Sequence, residues 1–219
     1  VLFSGGKDSS LALYRCLCQG YKIKYLVSLL PKKEDSWMFH YPNIHLIDIF
    51  SEATGFPVVK YETSGIKEEE IRDLKNALES LDVDGVVSGA IGSQYQKTRI
   101  DKVCAEIGLK SITPLWKEEP LNLLNEIISL KFETIICGVY AYGFNENWLG
   151  EKITNETVER LLELNRIYGI SIMGEGGEYE TLTLNAPFFK KRIEIVEAEK
   201  IWKKDTGHLL VKKARLVEK

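Results

Sequence analysis

The chain has 219 residues, 44% of them hydrophobic and 28% charged, with a formal net charge of -3 at pH 7. That length and apolar content suit one main domain with a smaller companion. The slight acidity gives no electrostatic ground for nucleic-acid binding, and no apolar run approaches a membrane span or opens the chain as a signal segment, so neither nucleic acid nor membrane is expected as a partner.

The first nine residues, Val1 to Ser9, run from an apolar β-prone stretch through Gly5 and Gly6 into a helical pattern with Leu11, Leu13 and Leu17 available for a buried face. Glycines between strand and helix let the chain turn at the helix N-terminus, where unpaired N–H groups and the dipole favour phosphate. Lys7 adds positive charge, and Ser4, Ser9 and Ser10 add hydroxyls. Walker A is excluded because Asp8 follows the lysine and no glycine stands five positions before Gly6; the dinucleotide loop is excluded because the glycines are adjacent.

Ile23 to Leu30 reads as a buried strand closed by Pro31, and in a doubly wound sheet its carboxyl end, with Leu26, Ser28 and Leu29, is expected to supply the adenine edge. Lys32 to Asn43, with Trp37, Phe39, His40 and Tyr41, is too aromatic for a linker and reads as a lid, His40 being its titratable ring. Asn43 is expected to cap a helix over Ile44 to Thr54, Val58 to Tyr61 to form a strand, and Lys67 to Leu81 a helix whose Glu68-Glu69-Glu70 start is solvated. Val83 to Ser88 is a further strand, followed by a second glycine-bearing loop with Gly89. Tyr95, Gln96 and Arg99 then crowd a helix start near the expected ligand crevice.

After a short strand at Ser111 and a helix over Pro120 to Leu130, Thr134 to Tyr140 is the last clearly buried strand of an alternating α/β pattern. The fold expected is α/β, a doubly wound and mainly parallel sheet over residues 1–140, with a smaller α+β domain over 141–219. The latter holds a helix over Asn155 to Tyr168, an acidic glycine loop, and strands over Ile193 to Trp202 and Leu209 to Val217. Four cysteines, at 16, 18, 104 and 137, form no C-x-x-C pair and read as packing thiols of a cytoplasmic enzyme. The chain starts without Met inside an apparent strand, so residues are expected to be missing before Val1.

The acidic loop, Gly174 to Thr181, has three glycines, but Glu175, Glu178 and Glu180 make it repel phosphate. It suits a cation, a metal or a hydrogen-bonded neutral group, and Tyr179 can offer an aromatic face to a quaternary ammonium. The bland reading is a solvated turn leading into a strand.

The S-G-G-K-D-S run resembles the PP-loop of N-type ATP pyrophosphatases, enzymes of adenine nucleotide alpha hydrolase-like (HUP-type) fold. With Trp37 to His40, Gly89-Ala90-Ile91, Tyr95-Gln96, Arg99, Pro114 to Trp116 and Gly174 to Thr181, the chain resembles the archaeal diphthine-ammonia ligase family over nearly its whole length. The resemblance implies ATP-dependent amidation of the diphthine carboxylate on translation elongation factor two by ammonium, through an acyl-adenylate, giving diphthamide, AMP and pyrophosphate. It implies ATP and Mg2+ as cofactors, with Asp8 on the metal. Lys7, Asp8, Glu175, Glu178 and Tyr179 would do the chemistry; His40, Tyr95, Gln96, Arg99, Gly176, Gly177, Glu180 and Thr181 would hold substrate. Animal and fungal relatives are expected to carry appended domains, and a homodimer is compatible with the sequence. The rival readings are a PP-loop tRNA-modifying enzyme and a non-catalytic ATP-binding regulator.

Overall fold

A computed structural model describes residues 1–31, 43–64 and 69–219. The aromatic stretch 32–42, His40 included, lies outside the described residues. The chain forms two units: Val1–Ser4, Asp8–His40 and Phe56–Trp116 in the first, Gly5–Lys7, Tyr41–Gly55 and Lys117–Lys219 in the second.

The opening residues are the central strand of the first unit. Leu2 bridges Val27 in parallel, Phe3 N donates to Val27 O at 2.8 Å, and Leu2 N donates to Val87 O at 2.8 Å. On one side lies β1 (Leu26–Pro31), itself parallel to β2 (Val58–Thr63); on the other lies β3 (Gly85–Val87), parallel to β4 (Lys110–Ile112). The chain therefore builds outward on one side and then returns to build the other, which leaves a topological switch between the opening strand and β3. This is the doubly wound, mainly parallel α/β architecture expected from the sequence.

The helices are α1 (Lys7–Cys18), α2 (Ile47–Thr54), α3 (Glu69–Glu79) and α4 (Gln94–Glu106), of which α2 belongs to the second unit. Leu74, Ala77 and Leu78 of α3 and Ile100, Val103 and Cys104 of α4 pack with Leu29 and Val86 into one apolar cluster, each helix giving the stripe its spacing dictates. That spacing also corrects one expectation. Glu70, read as solvated, is fully buried, because it stands four residues before Leu74 on the same helical stripe. Cys18, read as packing, is exposed.

The second unit holds a four-stranded antiparallel sheet in the order β6-β5-β8-β7, built from β5 (Glu133–Val139), β6 (Tyr179–Asn185), β7 (Arg192–Lys203) and β8 (Thr206–Val217). β5 had read as the last strand of the parallel sheet; instead it pairs antiparallel with β6 and β8. A continuous buried run looks the same in either setting, so periodicity could not separate them. Two helices, α5 (Pro120–Ser129) and α6 (Asn155–Tyr168), complete the unit, the latter capped by Thr154, which accepts from Thr157 N.

Asn43 does not cap α2. Its amide donates to Leu209 O and accepts from Val211 N, both at 2.9 Å, tying the approach to α2 onto β8, while Leu46 at the N-cap makes no side-chain bond. Two strong backbone partners outcompete a local cap. Among the described residues no helix is long and apolar enough to cross a membrane.

Candidate active site

In the first unit, the functional groups gather at the carboxyl ends of the two central strands. Ser4 N donates to Ser9 Oγ at 3.3 Å, and the two hydroxyls are 3.2 Å apart. After β3, Gly89 packs against the first turn of α1. A Cβ on it would stand 2.8 Å from Asp8 C and 2.9 Å from Ser9 N, so only glycine allows this approach. Ser10 and Ser88 are buried, and their hydroxyls have no hydrogen-bond partner among the described residues. Leaving a buried hydroxyl unmatched costs about 1–3 kcal/mol, so two of them at a switch point mark where a polar ligand would bind. Leu26, Ser28 and Leu29 are buried, and their strand pairs in parallel with β2.

Further along the same unit, Ser93 caps α4 by accepting from Gln96 N at 3.4 Å, and the Arg99 guanidinium lies 3.5 Å from the centroid of the Tyr95 ring. Stacking of this kind holds the planar fork in a fixed direction. Asp101 is engaged by Lys97 and Ser111, and Glu106 by Lys75.

In the second unit, Gly5, Gly6 and Lys7 run beside β6. Gly5 has φ +80°, and a Cβ there would stand 2.8 Å from the Phe50 ring, so both backbone and space demand glycine. Its carbonyl accepts from Thr183 N at 2.8 Å. Lys7 N donates to Thr181 Oγ1 at 3.0 Å, and the buried Lys7 ammonium donates to Met173 O at 2.5 Å and stands 5.0 Å from the Tyr179 ring centroid. The lysine of the first motif is thus held by residues of the last one.

The acidic loop is more ordered than a solvated turn. Glu178 accepts from Ser171 N and from Gly176 N, each at 2.8 Å, and so ties the loop to itself. Tyr179 is buried, its hydroxyl donating to Ile172 O at 2.6 Å. Glu175, Gly176 and Gly177 are exposed at the tip, whereas Glu180 and Tyr140 are half-buried. Burial, and then the nearby Glu180 carboxylate, push the Tyr140 hydroxyl well above its ordinary range. Cys137 is raised by the same two causes, and burial pushes Cys104 up to about 11.

The structure therefore brings Lys7, Glu178, Tyr179 and Thr181 together in the second unit, and Ser4, Asp8, Ser9 and Gly89 together in the first. Tyr95, Gln96 and Arg99 share one helix start, and His40 lies outside the described residues. The carbonyl of Met173 and the side chains of Tyr140 and His208 join these groups without a sequence motif of their own. Only Tyr140 carried a signal, as an aromatic closing a buried strand two residues after a glycine.

A glycine-rich loop leaving the central strand of a doubly wound parallel sheet at a helix N-terminus defines a phosphate-binding protein of the α/β class. Residues 1–111 match the diphthamide synthase N-terminal domain and residues 119–217 the diphthamide synthase C-terminal domain. The chain is 35% identical to a diphthine-ammonia ligase of Rattus norvegicus, across 92% of this chain and 84% of that protein, and 36% identical to one of Danio rerio, across 91% and 87%. The chain belongs to the diphthine-ammonia ligase family. The relative from Saccharomyces cerevisiae is 32% identical across 87% of this chain but only 33% of its own length, so the expected appended regions fit the yeast protein and not the rat one. A solved structure described as a predicted subunit of tRNA methyltransferase from Methanocaldococcus jannaschii is a more distant likeness, with 19% identity and a TM-score of 0.47 over 85% of this chain and 95% of that one.

Proposed function

We propose that the loop from Ser4 to Ser10 holds the triphosphate of ATP, and that Lys7 stabilises the pyrophosphate as it leaves. The reaction is the family's own, ATP-dependent amidation of diphthine to diphthamide. A carboxylate is a poor electrophile until one oxygen becomes a leaving group, and transfer of AMP to it, with pyrophosphate departing in line, achieves this. The observation that carries the reading is the anchoring of Lys7 on Thr181, Met173 and Tyr179. A charge fixed by its surroundings needs no reorganisation when negative charge develops beside it.

Mg2+ suits the donors present. Asp8 supplies a carboxylate, and the buried hydroxyls of Ser10 and Ser88 supply further oxygens. No group of three His, Cys, Asp or Glu side chains that could cage a metal occurs among the described residues. Mg2+ commonly binds through one or two carboxylates together with substrate phosphates, and when bound it would neutralise phosphate charge.

Arg99, fixed on Tyr95, is oriented for a phosphate or carboxylate, and Gln96 sits one turn before it. In the acidic loop, Glu178 and Tyr179 act as positioning residues, and Glu175, exposed at the tip, offers a carboxylate to the trimethylammonium of diphthine. The protein substrate is translation elongation factor two, the nitrogen donor free ammonium, and the compartment the cytoplasm. Base thiolation finds no support in the three buried thiols. Burial raises Cys16, Cys104 and Cys137, the opposite of what thiolate chemistry needs.

The test combines the chain with ATP, ammonium and diphthine-bearing elongation factor, with a tRNA as control. AMP and pyrophosphate formed only with the protein substrate are expected; ADP and orthophosphate as the sole nucleotide products would overturn the reading.

A further inference from the structure

A row of three chemically different side chains crosses the antiparallel sheet at Gly138. The register sets Gly138 of β5 opposite Glu180 of β6 on one side and opposite His208 of β8 on the other. Directly opposed residues project to the same face, with neighbouring Cβ positions about 5 Å apart. Tyr140, two residues further along the chain and just past the end of β5, projects to that face as well. Its ring leans back over the glycine: Tyr140 Oη lies 2.5 Å, and Cζ 2.9 Å, from where a Cβ on Gly138 would be. The hydroxyl therefore sits above Gly138, between the strand carrying Glu180 and the strand carrying His208.

Two features tie this row to the site. Tyr140 N donates to Glu178 O at 2.9 Å, so the row borders the acidic glycine loop. The ladder is also interrupted between Ile136 and Gly138, making Cys137 an extra residue in β5. Such bulges commonly re-aim side chains beside active sites. All three side chains are half-buried, within reach of a small solute.

We propose that this row receives the ammonium and removes its proton, a role that rests on the ligase reading above. Ammonium is a small donor-only cation, and Glu180 with the Tyr140 oxygen supplies acceptors for it. The Glu180 carboxylate takes one proton from NH4+, giving NH3 and a neutral carboxyl. The nitrogen lone pair then forms the C–N bond, the bond from the acyl carbon to the AMP oxygen breaks, and its electron pair leaves with AMP. The second proton shed by nitrogen goes to the AMP phosphate, and Glu180 returns its proton through the Tyr140 hydroxyl to His208 and water. The titratable groups around the row are Cys137 of β5 and Tyr140 just beyond it, Glu180 of β6 and Glu178 just before it, His208 of β8, and Lys7 of α1, whose charge reaches Cys137.

Hydroxylamine provides the test, because it is largely uncharged at neutral pH and attacks an acyl-adenylate without a base. The purified chain is given ATP and diphthine-bearing protein with either ammonium or hydroxylamine, and amide or hydroxamate is read by mass spectrometry. Glu180→Gln is expected to slow amide formation by about 100-fold, the scale of general-base catalysis. Tyr140→Phe should slow it by about tenfold, the scale of one hydrogen bond to a charged group. His208→Gln should slow it too, and hydroxamate formation should recover in all three. Should Glu180→Gln fail to fold, Tyr140→Phe, which removes one oxygen, carries the test alone. Equal loss with both nucleophiles, or no loss with ammonium, overturns the proposal. If the unaltered chain forms no AMP with the diphthine-bearing protein, the ligase reading itself fails and takes this one with it.

Discussion

The parallel strands of the first unit offer their functional groups at strand ends, whereas the antiparallel sheet of the second offers them across its width. At a strand end, neighbours in space are largely neighbours in sequence, as Ser4, Asp8, Ser9 and Ser10 are. Across a sheet they come from distant segments, as Glu180, Tyr140 and His208 do. The first arrangement suits a flexible polyanion met by backbone N–H groups. The second suits a small ion that needs a few side chains at fixed spacing.

Substitutions can break this division or sharpen it. The largest effect is expected from Lys7→Met, which keeps the buried chain length and removes the charge. Pyrophosphate release should fall by about 100-fold or more, the scale of losing one preorganised transition-state contact. A fall of less than tenfold would put the leaving-group charge elsewhere. Gly89→Ala comes next. Its methyl would press on the Asp8 and Ser9 backbone, costing about 1–3 kcal/mol in urea unfolding and raising the KM for ATP while leaving the ammonium KM alone.

Asn43→Ala probes the sheet side. It removes two bonds to β8 and should cost about 2 kcal/mol without changing ATP affinity. The smallest effect concerns Glu133. Burial works to raise its pKa, but hydrogen bonds from Arg192 and Asn185 and the charges of Arg192 and Lys152 outweigh burial, so the carboxyl titrates below its ordinary range. A carboxylate with a depressed folded pKa adds stability above its unfolded pKa and loses it as pH falls through the folded one. The gap in urea midpoint between the unaltered chain and Glu133→Gln should be full at neutral pH and shrink below about pH 4.

The same division explains what could be read in the chain. The doubly wound class followed from alternating periodicity, and the strand-to-helix turn at Gly5 and Gly6 from six consecutive residues. β5 was misplaced because burial on both faces erases the alternation that would have marked an antiparallel strand. Glu70 was misjudged because three adjacent glutamates suggest solvent, while only the helical count back from Leu74 shows which one turns inward. Asn43 has the chemistry of a cap, and nothing local reveals that Leu209 and Val211 compete for it. The row over Gly138 needed strand register, which no single segment encodes.

One bond has a meaning for how the protein is made. Lys7 and Thr181 are 174 residues apart, and Thr183, just beyond, supplies the donor for the Gly5 carbonyl. A nascent chain emerging from the ribosome exposes Gly5 to Lys7 long before Thr181 and Thr183, and cannot make these bonds until β6 has been released. Products of translation interrupted before β6 would therefore carry the whole glycine motif in sequence and lack both bonds that hold Gly5 and Lys7.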